Sequence, residues 1–175
     1  HPHVMSAAQV GFGLYGAFVV EDPEEDLGIS DELVIVLSDI DVDDDGVLRS
    51  AYTGGSLGMV FGREGNRVLV NGRQHPTLTV RAGAPQRWRV VNAAKSRYFM
   101  LDLGAGHVFR KIGGDGGLTE YSEDHDFLVL GAGERADVLV TPAAEPGESL
   151  MLRSVLHDRG FGSTEYRDVE DLVAI

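Results

Sequence analysis

Short apolar runs recur along this chain about every ten residues, and residues that favour turns separate them. The runs are rich in Val, Leu, Ile and aromatic side chains, while Gly, Asp, Pro and Asn fill the gaps. This spacing is typical of a β-sandwich or barrel, and no window sustains a helical period. We therefore predict an all-β fold, with strands near 17–20, 33–38, 67–70, 77–80, 86–92, 98–103, 108–112, 127–130, 138–141 and 150–154.

The segment 87–90 shows the alternation of a strand most plainly. Trp88 and Val90 should face the core, because successive side chains of a strand point to opposite faces. Arg87 and Arg89 should then face outward or pair with acidic side chains. We interpret both arginines as structural.

The charge of the chain limits its partners. The net charge is −13, from 15 basic and 28 acidic residues. Nucleic acids and anionic lipid surfaces would be repelled, so we expect no nucleic-acid partner, and metals, other cations or neutral molecules are favoured. Surface acidity that only keeps the protein solvated is the alternative. The apolar runs are too short to cross a bilayer, so no membrane insertion is expected.

The absence of cysteine removes several chemistries from this chain. Disulfides, zinc thiolate sites, thiol catalysis and a blue-copper centre all need a cysteine. The first residue is His1, with neither an initiator Met nor a signal peptide before it. We expect that the sequence begins after a segment that was removed or left out.

The start of the chain carries the candidate metal ligands, His1 and His3, with Pro2 between them. In an extended segment both imidazoles would lie on one face, roughly 6.5 Å apart along the strand. Such a pair can serve one metal ion or bridge two. Gln9 and a Gly-Leu-Tyr-Gly turn at 13–16 follow, and an apolar run leads from there to acidic residues.

This order of residues resembles the second copper-ligand motif of the multicopper oxidases, the laccase-like enzymes built from cupredoxin domains. In that family a His-Pro-His or His-Ser-His segment precedes a Gln, a Gly-Leu-x-Gly turn and a strand that ends in acidic residues. Further similarities to the family follow at 70–72, 87–93, 112–117, 133–140 and 158–160.

The resemblance implies a cupredoxin-like Greek-key β-sandwich or barrel from a three-domain bacterial enzyme. Residues 1–22 would be the C-terminal piece of a first cupredoxin domain, and 23–32 an acidic linker. Residues 33–160 would form the second cupredoxin-like domain, and 161–175 a linker toward a missing third domain.

The resemblance also implies copper chemistry. His1 and His3 would each bind one copper of the type-3 pair in a trinuclear cluster, which residues outside this chain complete. The partners would be dioxygen, a small reducing substrate such as a phenol or metal ion, and the other cupredoxin domains, and an oligomer is compatible with this interpretation. The whole protein would be periplasmic or extracellular, and this chain alone inactive in oxygen reduction.

Two alternatives stay open at this point. The chain could be a copper-free β-sandwich that acts as a spacer or interaction module. Otherwise His1 could be a true mature N-terminus whose amine and imidazole chelate one copper, as in secreted copper monooxygenases.

Other motifs favour structural roles. The glycines at 11, 13 and 16 have dinucleotide-binding spacing, but they lead into a predicted strand and lack a βαβ context. The aspartates at 41, 43 and 45 imitate a calcium loop, but Tyr52 stands where its Glu is needed, so we predict an acidic turn, with loose cation binding as the alternative. Residues 113–117 predict a glycine turn with positive φ. We predict surface or turn positions for His75, His107, His125 and His157, and a turn-fixing ion pair among Glu134, Arg135 and Asp137.

Overall fold

A computed structural model of the chain describes residues 2–145, 147–158, 160 and 169–175, except for the side chains of Leu57 and Met59. In this part of the chain, two β-sheets enclose one hydrophobic core. Two short helices, α1 (Ser6–Gly11) and α2 (Gly55–Phe61), accompany them. Neither helix has the length and apolar character needed to cross a membrane.

The larger sheet has six strands. Their order across the sheet is β2 (Arg67–Val70), β1 (Glu32–Ile40), β3 (Gln86–Asn92), β8 (Arg135–Val140), β5 (Phe109–Gly114) and β6 (Gly117–His125). β1 and β3 run parallel, whereas the other neighbours in this sheet are antiparallel.

The smaller sheet has four antiparallel strands. Their order is β10 (Glu170–Ala174), β9 (Met151–Val155), β4 (Phe99–Asp102) and β7 (Leu128–Leu130). The predicted all-β sandwich is thereby confirmed.

The core lies between the two sheets and includes the predicted inward side chains of β3. Trp88 and Val90 are almost fully buried, as the alternation predicted. The indole Nε1 of Trp88 donates a hydrogen bond to Oε1 of Gln86 at 3.1 Å. Its one polar group is therefore satisfied inside the core, as a buried donor requires.

Two of the predicted strands are wrong. Residues 17–20 form no strand within the described chain, and Phe18 there is 92% exposed. Residues 77–80 form only an isolated bridge, between Thr77 and Ala174. Both runs have the composition of a strand, but neither has a neighbouring strand to which it can donate and accept a full ladder of hydrogen bonds.

Two strands, β6 and β10, and both helices were not predicted from the sequence. β6 is exposed along nearly its whole length and therefore lacks the alternating pattern of a half-buried strand. α1 and α2 have six and seven residues, too few for a helical period to stand out.

The last residues of the chain correct the predicted linker at 161–175. β10 pairs with β9, and Leu172, Val173 and Ile175 are buried in the core. This end of the chain therefore belongs to the sandwich. Residues 161–168 lie outside the described part of the chain.

Both predicted turns are present, but of the four glycines at 113–117 only Gly117 has the predicted positive φ. A tight turn joins β5 to β6, and Gly117 adopts a φ of +98° there, a conformation that favours glycine. In the acidic turn, Oδ1 of Asp43 accepts hydrogen bonds from the amides of Asp45 and Val47. The carboxylate of Asp43 thus organises its own loop.

Candidate functional site

The candidate metal-binding segment begins the chain and leads into α1. His1 lies outside the described residues, so only one of the two predicted ligands has a structural position. His3 is exposed, and the backbone bends over residues 3–5 before α1 begins. Met5, the residue before the helix, has a left-handed φ of +49°. The described part of the motif is therefore a bend that enters a helix.

α1 is docked on the sandwich through its last residue. Gly11 is buried, and a Cβ at this position would lie 2.8 Å from the Cβ of Ala51 and 3.4 Å from Nη2 of Arg63. Real Cβ atoms do not approach each other so closely, so the contact depends on glycine. This close approach attaches α1 to the sandwich, and Ala8 of the same helix is also buried.

Residues 14–22 follow α1 along the chain and pair with no strand within the described residues. Phe18 is 92% exposed and Val20 is 77% exposed, and Leu14 is exposed as well. A cleft of about 650 Å³ lies between this segment and the sandwich, lined on the sandwich side by Asn92 and Lys95, among others. The segment therefore presents a row of large apolar side chains to solvent, which is a mark of an interaction site.

The acidic residues that follow are held by a buried arginine of β3. Nη1 of Arg87 donates to Oε1 of Glu25. Nη2 of Arg87 donates to Oδ2 of Asp137 at 2.6 Å, and Nε donates to Oδ1 at 2.9 Å. Only 7% of Arg87 is exposed, so these bonds form largely out of water. This contact is the second point of attachment.

The electrostatics of Arg87 reflect these partners. The hydrogen bond with Asp137 raises the pKa of the guanidinium above its usual value, although burial opposes the rise. The neighbouring Arg89 pairs with Glu32. The prediction that both arginines face away from the core or pair with acids is confirmed, with the addition that Arg87 is buried.

A second group of buried charges lies near the docking point of α1. Nε of Arg97 donates to Oδ2 of Asp39 at 3.1 Å, and the same carboxylate oxygen accepts the amide of Gly65 at 2.6 Å. Nη1 of Arg63 lies 3.2 Å from Oδ2 of Asp41. Each buried arginine thus has a carboxylate beside it, as burial of charge requires.

Lys95 connects this charge group to the cleft. Its ammonium donates to the carbonyl of Ala51, and burial lowers the pKa of Lys95, with the charge of Arg63 lowering it further. Ala51 therefore contacts both α1 and the lysine that lines the cleft.

The other histidines are dispersed over the surface and turns. Nδ1 of His75 lies 2.8 Å from the carbonyl oxygen of Asp171, and Nε2 of His107 accepts the amide of Ala143 at 3.1 Å. His157 stacks on Tyr98, and His125 lies near Glu123. Within the described residues, no three His, Asp or Glu side chains form a group that could hold a metal ion.

The carboxylates near β8 have partners other than those predicted. Arg135 pairs with Asp115, while Asp137 pairs with Arg87. Glu134 accepts the amide of Gly131 and so fixes the turn before the strand. The turn was predicted, but the ion pair among 134, 135 and 137 is wrong, because the partners come from elsewhere in the chain. The sequence predicted a structural role for Arg87. No local pattern indicated its ion pair with Glu25.

Comparison with known proteins gives the family. The family model described as "Multicopper oxidase" matches residues 31–164. The laccase of Bacillus subtilis (strain 168) is 34% identical over 165 residues, which cover 87% of this chain and 32% of the laccase. The cell division protein FtsP of Edwardsiella tarda (strain FL6-60) is 36% identical over 141 residues, which cover 77% of this chain and 28% of FtsP. The chain thus spans about a third of the length of these relatives.

Solved structures agree with the family match. The multicopper oxidase of Campylobacter jejuni, described as a metallo-oxidase, superposes with a TM-score of 0.84 at 29% identity, over 99% of this chain and 36% of that one. The multi-copper oxidase of Pseudomonas thermotolerans gives a TM-score of 0.78 at 29% identity, over 100% of this chain and 40% of that one. These matches confirm the predicted cupredoxin-like fold, and the chain belongs to the multicopper oxidase family.

Proposed function

We propose that this chain is part of a multicopper oxidase that oxidises a phenolic, metal-ion or similar one-electron donor and reduces dioxygen to water. His1 and His3 bind copper at a trinuclear cluster, one imidazole to each ion of the type-3 pair. The cluster, when bound, supplies the redox chemistry. Residues outside this chain complete it, and the whole protein works in the periplasm or outside the cell.

The observation that carries this proposal is the His-Pro-His motif at the start of a chain whose structural match to a multicopper oxidase extends beyond residues 31–164, the part that the family model matches. The Campylobacter jejuni structure covers 99% of this chain, so the similarity extends into the N-terminal segment as well as the sandwich. Imidazole nitrogens suit copper, and His3 is exposed where further ligands can approach it. Two imidazoles are an incomplete ligand set, which fits a cluster shared with other parts of the protein.

The domain arrangement is part of the same proposal. Residues 1–22 end a first cupredoxin domain, 23–32 connect it to the next, and the sandwich that begins with β1 is the second domain. The exposed apolar side chains of 14–20 support this division, because a neighbouring domain would cover them. The second domain carries no copper of its own and positions the first domain relative to the rest.

Substitution of the ligands in the full-length protein tests the proposal. His1→Ala and His3→Ala should each lower the copper content per protein and abolish dioxygen consumption with a one-electron donor. Copper is measured by elemental analysis and dioxygen with an oxygen electrode. Removal of copper by a chelator should have the same effect on the unsubstituted protein.

His75→Asn is the matched control. It removes an exposed imidazole that we do not assign to copper, and asparagine tolerates the positive φ of 44° at this position. The control should keep both copper and activity. Retention of both by His1→Ala and His3→Ala as well would refute the assignment.

A second candidate function is a copper-free sandwich that serves as a spacer or interaction module. It is supported by the FtsP relatives, which are named as cell division proteins. The copper content of the purified full-length protein discriminates between the two. Full-length protein that binds no copper after incubation with Cu²⁺ would favour the module.

A further inference from the structure

The cleft of about 650 Å³ between the N-terminal segment and the sandwich has the size of a pocket for a small organic molecule. Residues 15–18 line the cleft from the segment, and residues 91–95 line it from the sandwich. In the domain arrangement proposed above, the cleft therefore lies between one domain and the next. Ligand sites occur preferentially at such positions.

Most of the cleft lining is apolar. Val10 of α1, Ala17 and Phe18 of the segment, and Val91 and Ala93 on the sandwich side all line the cleft. Such a surface favours the hydrocarbon part of a ligand, because contact with it removes apolar area from water.

The charged side chains of the cleft have one sign. Lys95 and Arg135 line it, and none of the described lining residues is Asp or Glu. The whole chain has 28 acidic residues against 15 basic ones, so its composition favours the opposite sign. The potential in the cleft therefore favours an anion.

Of these two cations, Lys95 is the one without a carboxylate. Arg135 pairs with Asp115 at 2.9 Å, so its charge is balanced. The ammonium of Lys95 donates to the carbonyl oxygen of Ala51 and lies 5.7 Å from the ring centroid of Tyr52. In the part of the chain that the structure describes, no carboxylate lies within ion-pairing distance of this ammonium. Two of its three donors are thus available to a ligand.

The surroundings of Lys95 make an added anion favourable. Burial lowers the pKa of Lys95, and the charge of Arg63 lowers it further, while Asp39 acts in the opposite direction. The charged form of Lys95 is therefore less stable in this cleft than in water. An anion beside the ammonium would reverse this effect.

We propose that the cleft binds a small organic acid, whose carboxylate pairs with Lys95 and whose apolar part lies along α1 and residues 15–18. Such a ligand matches both properties of the cleft, since a single ammonium balances one carboxylate and the remaining lining is apolar. The site needs no copper, so it does not depend on the oxidation reaction proposed above.

Binding of benzoate to the full-length protein tests the site, because benzoate joins one carboxylate to an apolar ring. Isothermal titration calorimetry at constant ionic strength should show saturable binding. Lys95→Met should weaken this binding by about tenfold or more, the usual effect of losing a hydrogen bond between charged groups. Benzyl alcohol, which has the ring without the charge, should bind more weakly than benzoate.

Lys111→Met is the matched control for the loss of a lysine. Lys111 lies 3.9 Å from Glu134 and does not line the cleft, so this variant should keep the benzoate affinity of the unsubstituted protein. Absence of saturable binding to the unsubstituted protein, or equal affinities of Lys95→Met and Lys111→Met, would overturn the site.

The pKa of Lys95 in the unsubstituted protein gives a second measurement. It is followed by NMR of ¹³C-labelled lysine, and the signal of Lys95 is the one that Lys95→Met lacks. Saturating benzoate should raise this pKa, and an unchanged value would overturn the proposal. A pKa already above its usual value without benzoate would also overturn it, because a carboxylate of the protein itself would then fill the cleft.

Discussion

The sandwich and the N-terminal segment place their apolar side chains in opposite ways. In the sandwich, Phe99, Trp88 and Leu101 are fully buried between two sheets. In the segment, Phe18, Val20 and Leu14 point into solvent, and the backbone of 14–22 has no strand beside it. The two regions have similar residue types, so their composition does not explain the difference.

The two regions differ in whether they contain their own packing partners. The sandwich supplies its own partners, because each strand hydrogen-bonds to a neighbour and buries one face. The segment is held at Gly11 and Glu25, and between them it lacks a partner within the described chain. Exposed apolar side chains of this kind mark an interaction site.

The largest effect on stability should appear when a Phe→Ala substitution in the sandwich is compared with one in the N-terminal segment. Phe99→Ala removes a fully buried ring and should destabilise the chain by about 3–5 kcal/mol. Phe18→Ala removes a ring that is 92% exposed and should change stability by less than about 0.5 kcal/mol. Urea unfolding of the 175-residue chain measures both. Similar losses for the two variants would show that the segment is packed against the sandwich.

An intermediate effect is expected where the two regions meet. Gly11→Ala would bring its Cβ to 2.8 Å from that of Ala51 and should weaken the docking of α1 by about 1–3 kcal/mol, the usual cost of overpacking. Hydrogen exchange of the amides of residues 12 and 13, which bond back into α1, should become faster while β3 is unaffected. Gly16→Ala is the control, since nothing lies within 4 Å of its added methyl group. Equal exchange in the two variants would contradict the docking contact.

The smallest effect concerns pH. Burial lowers the pKa of Lys95 below 10.5, so the unfolded chain binds more protons than the folded chain as pH approaches that value from below. Stability therefore gains a rising contribution with pH in that window, and Lys95→Met should remove it. Urea midpoints measured from neutral pH toward 10.5 give the slope, with Lys111→Met as the control for loss of a lysine. A slope that persists unchanged in Lys95→Met would contradict the effect of burial.

Much of the sandwich could be predicted from local patterns. The alternation at 87–90 gave the inward side chains of β3, and β2 and β3 have the predicted bounds. β6 could not be predicted in this way, because its exposure hides the alternation. Residues 17–20 were wrongly predicted to form a strand. Their apolar and β-branched side chains favour an extended backbone, but a strand also needs a neighbouring strand with which to pair.

The sequence predicted that the candidate site binds a metal, but it did not predict the structure around that site. His1 and His3 follow from the motif and its resemblance to the family, and their role as copper ligands stays a prediction. The docking of Gly11 has no local signature, because it depends on Ala51, which is far away in the chain. The acidic composition of 23–32 predicted a linker but not the bond from Glu25 to Arg87.

Local patterns in the chain indicate the all-β class, the turn between β5 and β6, the inward face of β3 and the candidate ligands, because each of these depends on residues that are close together in sequence. Only the folded chain shows that β1 pairs with β3 in parallel, that β10 pairs with β9 in the smaller sheet, and that Arg87 binds both Glu25 and Asp137. Hydrogen bonds and ion pairs between residues that are distant in sequence depend on where the folded backbone brings those residues together. Local sequence patterns do not specify these distances.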